Sequence, residues 1–337
     1  MTAAVRNPLA ERLAQVPVLL ADGATGTNLF EMGLMSGDAP ELWNVEAPEK
    51  IKALHKSFVD AGADIILTNT FGANRRRLAL HKAEGRVHEL NVAAVKLALE
   101  VVAASGRAVI VAGSVGPTGD LFAPLGAMTD DLAVEVFAEQ MRGLKEGGAD
   151  VVWIETMSAV EEMRAAAKAA ALVGMPYTVT ASFDTAGRTM MGITPETLSD
   201  TLTEFAPAPV AMGSNCGVGA SDLLYSVLRM TGTHPEAVVI AKANCGIPTV
   251  HGDHVHYSGT PELMADYARL AMDAGARIIG GCCGTSPSHL AAMRQAIDAH
   301  AKAARPDLEA ITSRIGALVS PPTEPAGGGE RRGRRRG

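Results

Sequence analysis

Aromatic side chains are scarce in this chain: they make up 4% of its 337 residues, and only two are tryptophan. A cation site walled by aromatic faces therefore has few residues to draw on. Cysteine is also sparse, and all four cysteines fall between Cys216 and Cys283 with none in the N-terminal half, which excludes an extracellular disulfide framework. A basic excess is missing. The net charge of −7 argues against nucleic acid as the main partner, because a phosphate-binding surface needs positive charge. No apolar run approaches the roughly 18 residues of a membrane helix. Met1 to Glu11 lacks a basic start and a long apolar core, so the expectation is a cytoplasmic protein that is neither exported nor membrane-spanning.

What is present is an alternation. Short apolar segments at Pro17 to Ala21, Asp64 to Thr68, Ala108 to Gly113, Asp150 to Glu155, Pro176 to Ser182, Pro209 to Ser214, Ala237 to Lys242 and Ala276 to Gly281 read as strands. Stretches with helical spacing lie between them, such as Arg86 to Ala104 and Thr129 to Gly147. Strands alternating with helices imply parallel pairing, since a parallel connection needs a crossover. Asp60-Ala61-Gly62-Ala63-Asp64 is echoed by Glu146-Gly147-Gly148-Ala149-Asp150 and by Asp273-Ala274-Gly275-Ala276-Arg277, each with a glycine where a helix would end in a left-handed turn. A doubly wound open sheet shares these local signals, but eight units favour a single-domain (β/α)₈ TIM barrel. The barrel is expected over residues 13–305, after an N-terminal lead-in over 1–12 and before a flexible tail over 306–337 rich in proline, glycine and arginine. Pro117 to Thr129 and Thr185 to Thr194 read as long loops, candidates for a lid.

The chemistry concentrates at Gly280-Gly281-Cys282-Cys283-Gly284-Thr285, which places two adjacent thiols after an apolar strand, and at Cys216 in an earlier Asn-Cys-Gly turn. Three thiolates suit zinc and leave its fourth tetrahedral position for substrate. Their charge exceeds that of Zn²⁺ by one, which disfavours water activation and favours an incoming thiol as the nucleophile for alkyl transfer. Asn244-Cys245-Gly246 repeats the Asn215-Cys216-Gly217 turn one strand later, so the residues alone allow Cys245 as the third ligand. A vicinal-dithiol redox protein and a non-catalytic zinc or thiol binder are the readings of another class. The redox reading is opposed by the strain of an adjacent-cysteine disulfide and by the lack of Cys-x-x-Cys spacing.

Several ordered motifs carry a resemblance. They are Asp22-Gly23-Ala24-Thr25-Gly26-Thr27, Thr68-Asn69-Thr70-Phe71-Gly72, Gly113-Ser114-Val115-Gly116-Pro117, Glu155-Thr156, Asn215-Cys216 and the Gly280 to Thr285 run. Together, over about residues 10 to 300, the chain is similar to the homocysteine S-methyltransferases, the group that includes betaine-homocysteine methyltransferases and the homocysteine module of cobalamin-dependent methionine synthase. The resemblance implies a (β/α)₈ barrel with zinc on Cys216, Cys282 and Cys283, homocysteine sulfur as the fourth ligand, and Cys245 as a nearby free thiol. It also implies that Asp22 and Glu155 hold the substrate ammonium, Gly23 and Ala24 N–H groups its carboxylate, and Thr68 a further hydrogen bond. A carboxylate pair bonded to neighbouring helix N-termini is the structural alternative. His251, His254 and His256 form a histidine cluster from which the resemblance predicts no second metal.

For the methyl donor, Ala39-Pro40-Glu41-Leu42-Trp43-Asn44 and Asn215 to Asp222 are most like bacterial proteins described as betaine-homocysteine methyltransferases. Trp43 is then the candidate cation-binding face for betaine. Gly72 and Thr156 stand where the tyrosines of animal betaine enzymes occur, a departure from that site. Asp298-Ala299-His300-Ala301-Lys302-Ala303 does not meet the cobalamin pattern Asp-x-His-x-x-Gly, so a methyl-corrinoid would have to arrive on another chain. Expected partners are thus homocysteine and a small methyl donor, betaine ahead of S-methylmethionine or another sulfonium. A homo-oligomer is compatible with the sequence.

Overall fold

Eight short parallel strands pair edge to edge until the last meets the first. The computed structural model describes residues 6–251 and 254–322, the side chains of 248–251 and 254–256 excepted. The strands are β1 (Leu19–Leu20), β2 (Ile65–Leu67), β3 (Ile110–Val115), β4 (Val151–Met157), β5 (Tyr177–Ala181), β6 (Ala211–Cys216), β7 (Val239–Ala243) and β10 (Ala276–Gly281). A two-stranded antiparallel hairpin, β8 (Pro248–His251) with β9 (His254–Tyr257), is inserted before the last. The barrel order is β1-β10-β7-β6-β5-β4-β3-β2. A parallel bridge between Ala21 and Ile65, with Asp64 N–H donating to Leu20 O at 2.7 Å, joins β1 to β2 and closes the ring. The result is a TIM barrel.

Alternation along each strand separates two cores. Leu19, Ile65, Ile110, Val151, Trp153 and Ile240 fill the lumen, and Leu9 and Leu13 of the helix Pro8–Leu13 seal its lower end. Their neighbours, such as Leu20, Ile66, Val111, Val152 and Ile279, face the surrounding helices. Those helices start with the right chemistry: Thr129, Thr194 and Thr260 each accept a hydrogen bond from a first-turn N–H, and proline opens four of them. The echoed pentapeptides turn as expected, with Gly62, Gly148 and Gly275 at φ near +100°. Asp64 and Asp150 then use their carboxylates on the adjacent strand, accepting from Leu20 N–H at 3.0 Å and Val111 N–H at 2.9 Å.

The tail begins later than the sequence suggests. Residues 308–315 form a helix that buries Ile311 and Ile315 against the helices Ala220–Thr233 and Pro261–Asp273. Beyond it, the Asp222 carboxylate accepts from Val319 and Ser320 N–H, each at 2.9 Å, and Ser320 Oγ accepts from Ala186 N–H at 2.8 Å. Proline and arginine content masked this short amphipathic turn pair. The arginine-rich run lies outside the described residues.

Candidate active site

Cys216 closes β6, and Cys282 and Cys283 follow β10. The barrel brings these three sulfurs within 4.8 Å of one another, with Cys216 and Cys283 at 3.9 Å. The backbone is pinned around them. Cys282 N–H donates to Ala243 O at 2.6 Å, Cys283 N–H to Asn244 Oδ1 at 3.1 Å, and Gly284 N–H to Thr27 Oγ1 at 3.0 Å. Gly284 must be glycine, since it has φ +79° and the Tyr257 ring stands where a Cβ would project. Cys216 itself has φ +62°, a left-handed conformation that costs a β-carbon residue about 1 kcal/mol or more.

Crowding keeps the bare thiols protonated. Cys283 is pushed up to about 11, first by its hydrogen bond with Cys216. Cys216 is raised first by its hydrogen bond with Cys282. In Cys282 the bond to Cys216 pulls down, but Cys283 and burial outweigh it. A dication among the sulfurs removes this obstacle, and an all-sulfur donor set suits zinc rather than magnesium or calcium. Cys245 is outside the cluster. It is fully buried, pushed up to about 12 by burial, and its sulfur packs against Gly259.

The expected carboxylates share the lumen just below. Glu155 is buried and accepts from Ser114 Oγ at 2.5 Å, its one hydrogen-bond partner among the described residues. Burial raises its pKa, opposed by Lys242 and Ser114 and assisted by Asp22. Asp22 is already engaged: Oδ1 receives Lys242 Nζ at 2.7 Å and Oδ2 receives Leu67 N–H at 2.7 Å. Asp22 thus forms an internal ion pair with Lys242 beside Glu155.

Ala24 N–H donates to Thr285 O at 3.1 Å. Gly23 N–H has no partner among the described residues, and a Cβ at Gly23 would collide with Thr285 O at 2.6 Å. The Thr68 hydroxyl contacts Thr70 Oγ1 at 2.7 Å and accepts from Ser114 N–H at 3.1 Å, so it braces the Glu155 partner. Trp43 sits on the short helix Trp43–Glu46, and the cation over its ring is the protein's own Lys50, 4.2 Å from the centroid. The histidine cluster lies on the hairpin, where its side chains fall outside the described residues. Both long loops are tied to the end of β4 and the helix after it: Thr118 N–H and Oγ1 bond Glu162 Oε1, and Thr189 Oγ1 bonds Ser158 O at 2.8 Å.

The sequence reading missed Lys242 and Tyr257. Lys242 was placed at the end of a strand, and its spacing of two from Ile240 was the available sign that it points into the lumen. Tyr257 ends β9, and its ring packs against Gly284, next to Cys283. No helix among the described residues is long and apolar enough to cross a membrane.

Comparison with known proteins agrees with this geometry. In its metallated and oxidised forms, the homocysteine methyltransferase MmuM from Escherichia coli is similar to this chain at 26% identity and TM-score 0.72, covering 86% of this chain and 99% of that one. Its apo form gives the same fold at 24% identity and TM-score 0.67, covering 86% and 100%. The family model described as homocysteine S-methyltransferase matches residues 19–297, from β1 through the last barrel helix. The chain belongs to the homocysteine S-methyltransferase family.

Proposed function

We propose that this protein transfers a methyl group from glycine betaine to the sulfur of homocysteine, with zinc held by Cys216, Cys282 and Cys283. The observation that carries the reading is the three-sulfur cluster at the C-terminal rim of a barrel of this family. Zinc, when bound there, supplies the acidity that makes a substrate thiol available as thiolate at neutral pH. The rest is the work of this chain. Glu155, oriented by Ser114, takes the substrate ammonium, and Gly23 N–H offers a donor to its carboxylate. Both lie at strand ends beside the cysteines, which fixes the amino acid by its head and leaves its thiol to the sulfur cluster. Homocysteine sulfur then forms a bond to a donor methyl carbon as the carbon–nitrogen bond breaks, and the nitrogen lone pair leaves on dimethylglycine. Tyr257 rather than Trp43 is the aromatic group beside the thiols, and it supports a cationic donor.

The test is methionine formation from homocysteine by zinc-loaded protein with betaine, S-methylmethionine and dimethylsulfoniopropionate in turn. Betaine is expected to give methionine and dimethylglycine in equal amounts. Methionine from a sulfonium or a methyl-corrinoid protein but not from betaine overturns the donor and leaves the acceptor. No methionine from any of these donors overturns the reading as a whole.

A further inference from the structure

Beyond the last barrel helix, Pro287–Ala299, and the helix at 308–315, the chain turns back to the catalytic face. Residues 316–322 run as a strap between two elements that flank the Cys216 turn. On one side is the first turn of the helix Ala220–Thr233: Ser221 Oγ donates to Gly316 O at 2.6 Å, and the Asp222 carboxylate accepts from Val319 and Ser320 N–H at 2.9 Å each. On the other is the loop after β5, where Ala186 N–H donates to Ser320 Oγ at 2.8 Å and Pro322 lies beside Gly187. That loop has a backbone that asks for support. Thr185 and Arg188 exchange backbone hydrogen bonds at 3.0 and 2.9 Å around Ala186 and Gly187, whose φ angles are +49° and +70°. This is the pattern of a type I′ turn, which favours asparagine or glycine where this chain has alanine. Ala186 is therefore strained, and its contacts with the strap are what hold it.

Cys216 carries the same kind of strain at φ +62°, and the strap reaches both of its flanks. Ser182 and Phe183 open the β5 loop against Gly217, with Phe183 O 3.7 Å from where a Cβ would stand there, and Val319 packs beside Gly219. A left-handed residue that carries a Cβ persists only where the surrounding structure leaves it no alternative. We infer that residues 316–322 are a positioning element for Cys216: they latch the Ala186 turn to the helix that follows Cys216, and so hold the strained turn that presents its sulfur to the cluster. The inference rests on the zinc reading above. Asp222 and Ser320 act through the backbone they fasten and not as ligands.

Zinc affinity by chelator competition, with amide hydrogen exchange over residues 182–188 and 216–222 on the same samples, tests this. A chain ending at Gly316 should bind zinc about tenfold or more weakly than the full chain and exchange these amides faster by a similar factor, whereas a chain ending at Pro322 should match the full chain within about twofold. Ala186→Asn in the shorter chain installs the Asn-Gly pair that such a turn favours and should restore about threefold or more of the zinc affinity. Full-chain affinity in the chain ending at Gly316, equal losses in the two truncations, or no recovery with Ala186→Asn overturns the inference. Where the chain ending at Gly316 does not fold, Ser320→Ala and Ser320→Thr in the full chain decide. The first loses the hydroxyl and should weaken zinc binding about threefold, the second keeps it and should not, and equal affinities overturn the inference. Full-length protein that folds but takes up no zinc overturns the functional reading instead.

Discussion

The chain uses the tripeptide Asn-Cys-Gly twice, at 215–217 and 244–246, and the two copies end up doing different jobs. In the first, Asn215 accepts from Thr156 N–H at 2.8 Å and Thr180 Oγ1 at 2.6 Å and donates to Thr156 Oγ1 at 2.7 Å, tying β4 and β5 to β6. Cys216 then turns left-handed and delivers its sulfur to the cluster. In the second, Cys245 has no such turn, and its sulfur is buried against Gly259. Asn244 instead spans the gap between the strands, donating to Gly217 O at 2.6 Å and accepting from Cys283 N–H. One copy supplies a sulfur to the cluster and the other holds the backbone of the cluster in place. Identical residues diverge because one backbone angle differs and because different strands stand beside them.

The comparison breaks most sharply at the adjacent pair. Cys282→Ala and Cys283→Ala should each reduce methionine formation to background with loss of zinc; metal retained in either variant would mean that Cys245 can step in. Asn244→Ala should lower zinc affinity by about tenfold to a hundredfold, the usual effect of losing an outer partner of a metal ligand. Competition with a chromogenic chelator reads this directly, and unchanged affinity would remove Asn244 from its holding role.

On the other turn, Asn215 steadies Thr156 and with it Glu155. Glu155→Gln should weaken homocysteine binding by about tenfold to a hundredfold, the range of a hydrogen bond to a charged group, while zinc stays bound. The pH profile has a definite sign: Glu155 must be ionised to hold an ammonium, and its pKa lies above the ordinary 4.5. Homocysteine affinity should therefore be full near neutrality and fall on acidification before an ordinary glutamate would protonate. An affinity flat down to pH 4.5 would contradict that role.

Much of this was legible before the structure. All eight strands overlap the apolar segments read from the sequence, and β3, β4, β6 and β7 run one or two residues beyond them, because parallel strands buried on both faces are continuous apolar runs. The adjacent cysteines were legible because two vicinal thiols need no knowledge of the fold to be placed together. Partner choice was not. Nothing local says that Lys242 of β7 meets Asp22 after β1, that Thr285 takes the N–H of Ala24, or that Lys50 covers Trp43, since each pairing spans strands or helices brought together by barrel closure. Trp43→Ala should accordingly change the Michaelis constant for betaine by less than about threefold, below the loss of a desolvated cation–π contact. A tenfold rise would return Trp43 to the donor site.

The central claim is that Cys216 and not its twin completes the metal site, and zinc content of two purified variants tests it most directly. Cys216→Gly keeps a residue suited to the left-handed backbone, so the fold is retained while the sulfur is lost. Cys245→Ala should carry about one zinc per chain and Cys216→Gly none. Zinc in folded Cys216→Gly together with its absence from folded Cys245→Ala would mean that Cys245, not Cys216, completes the site.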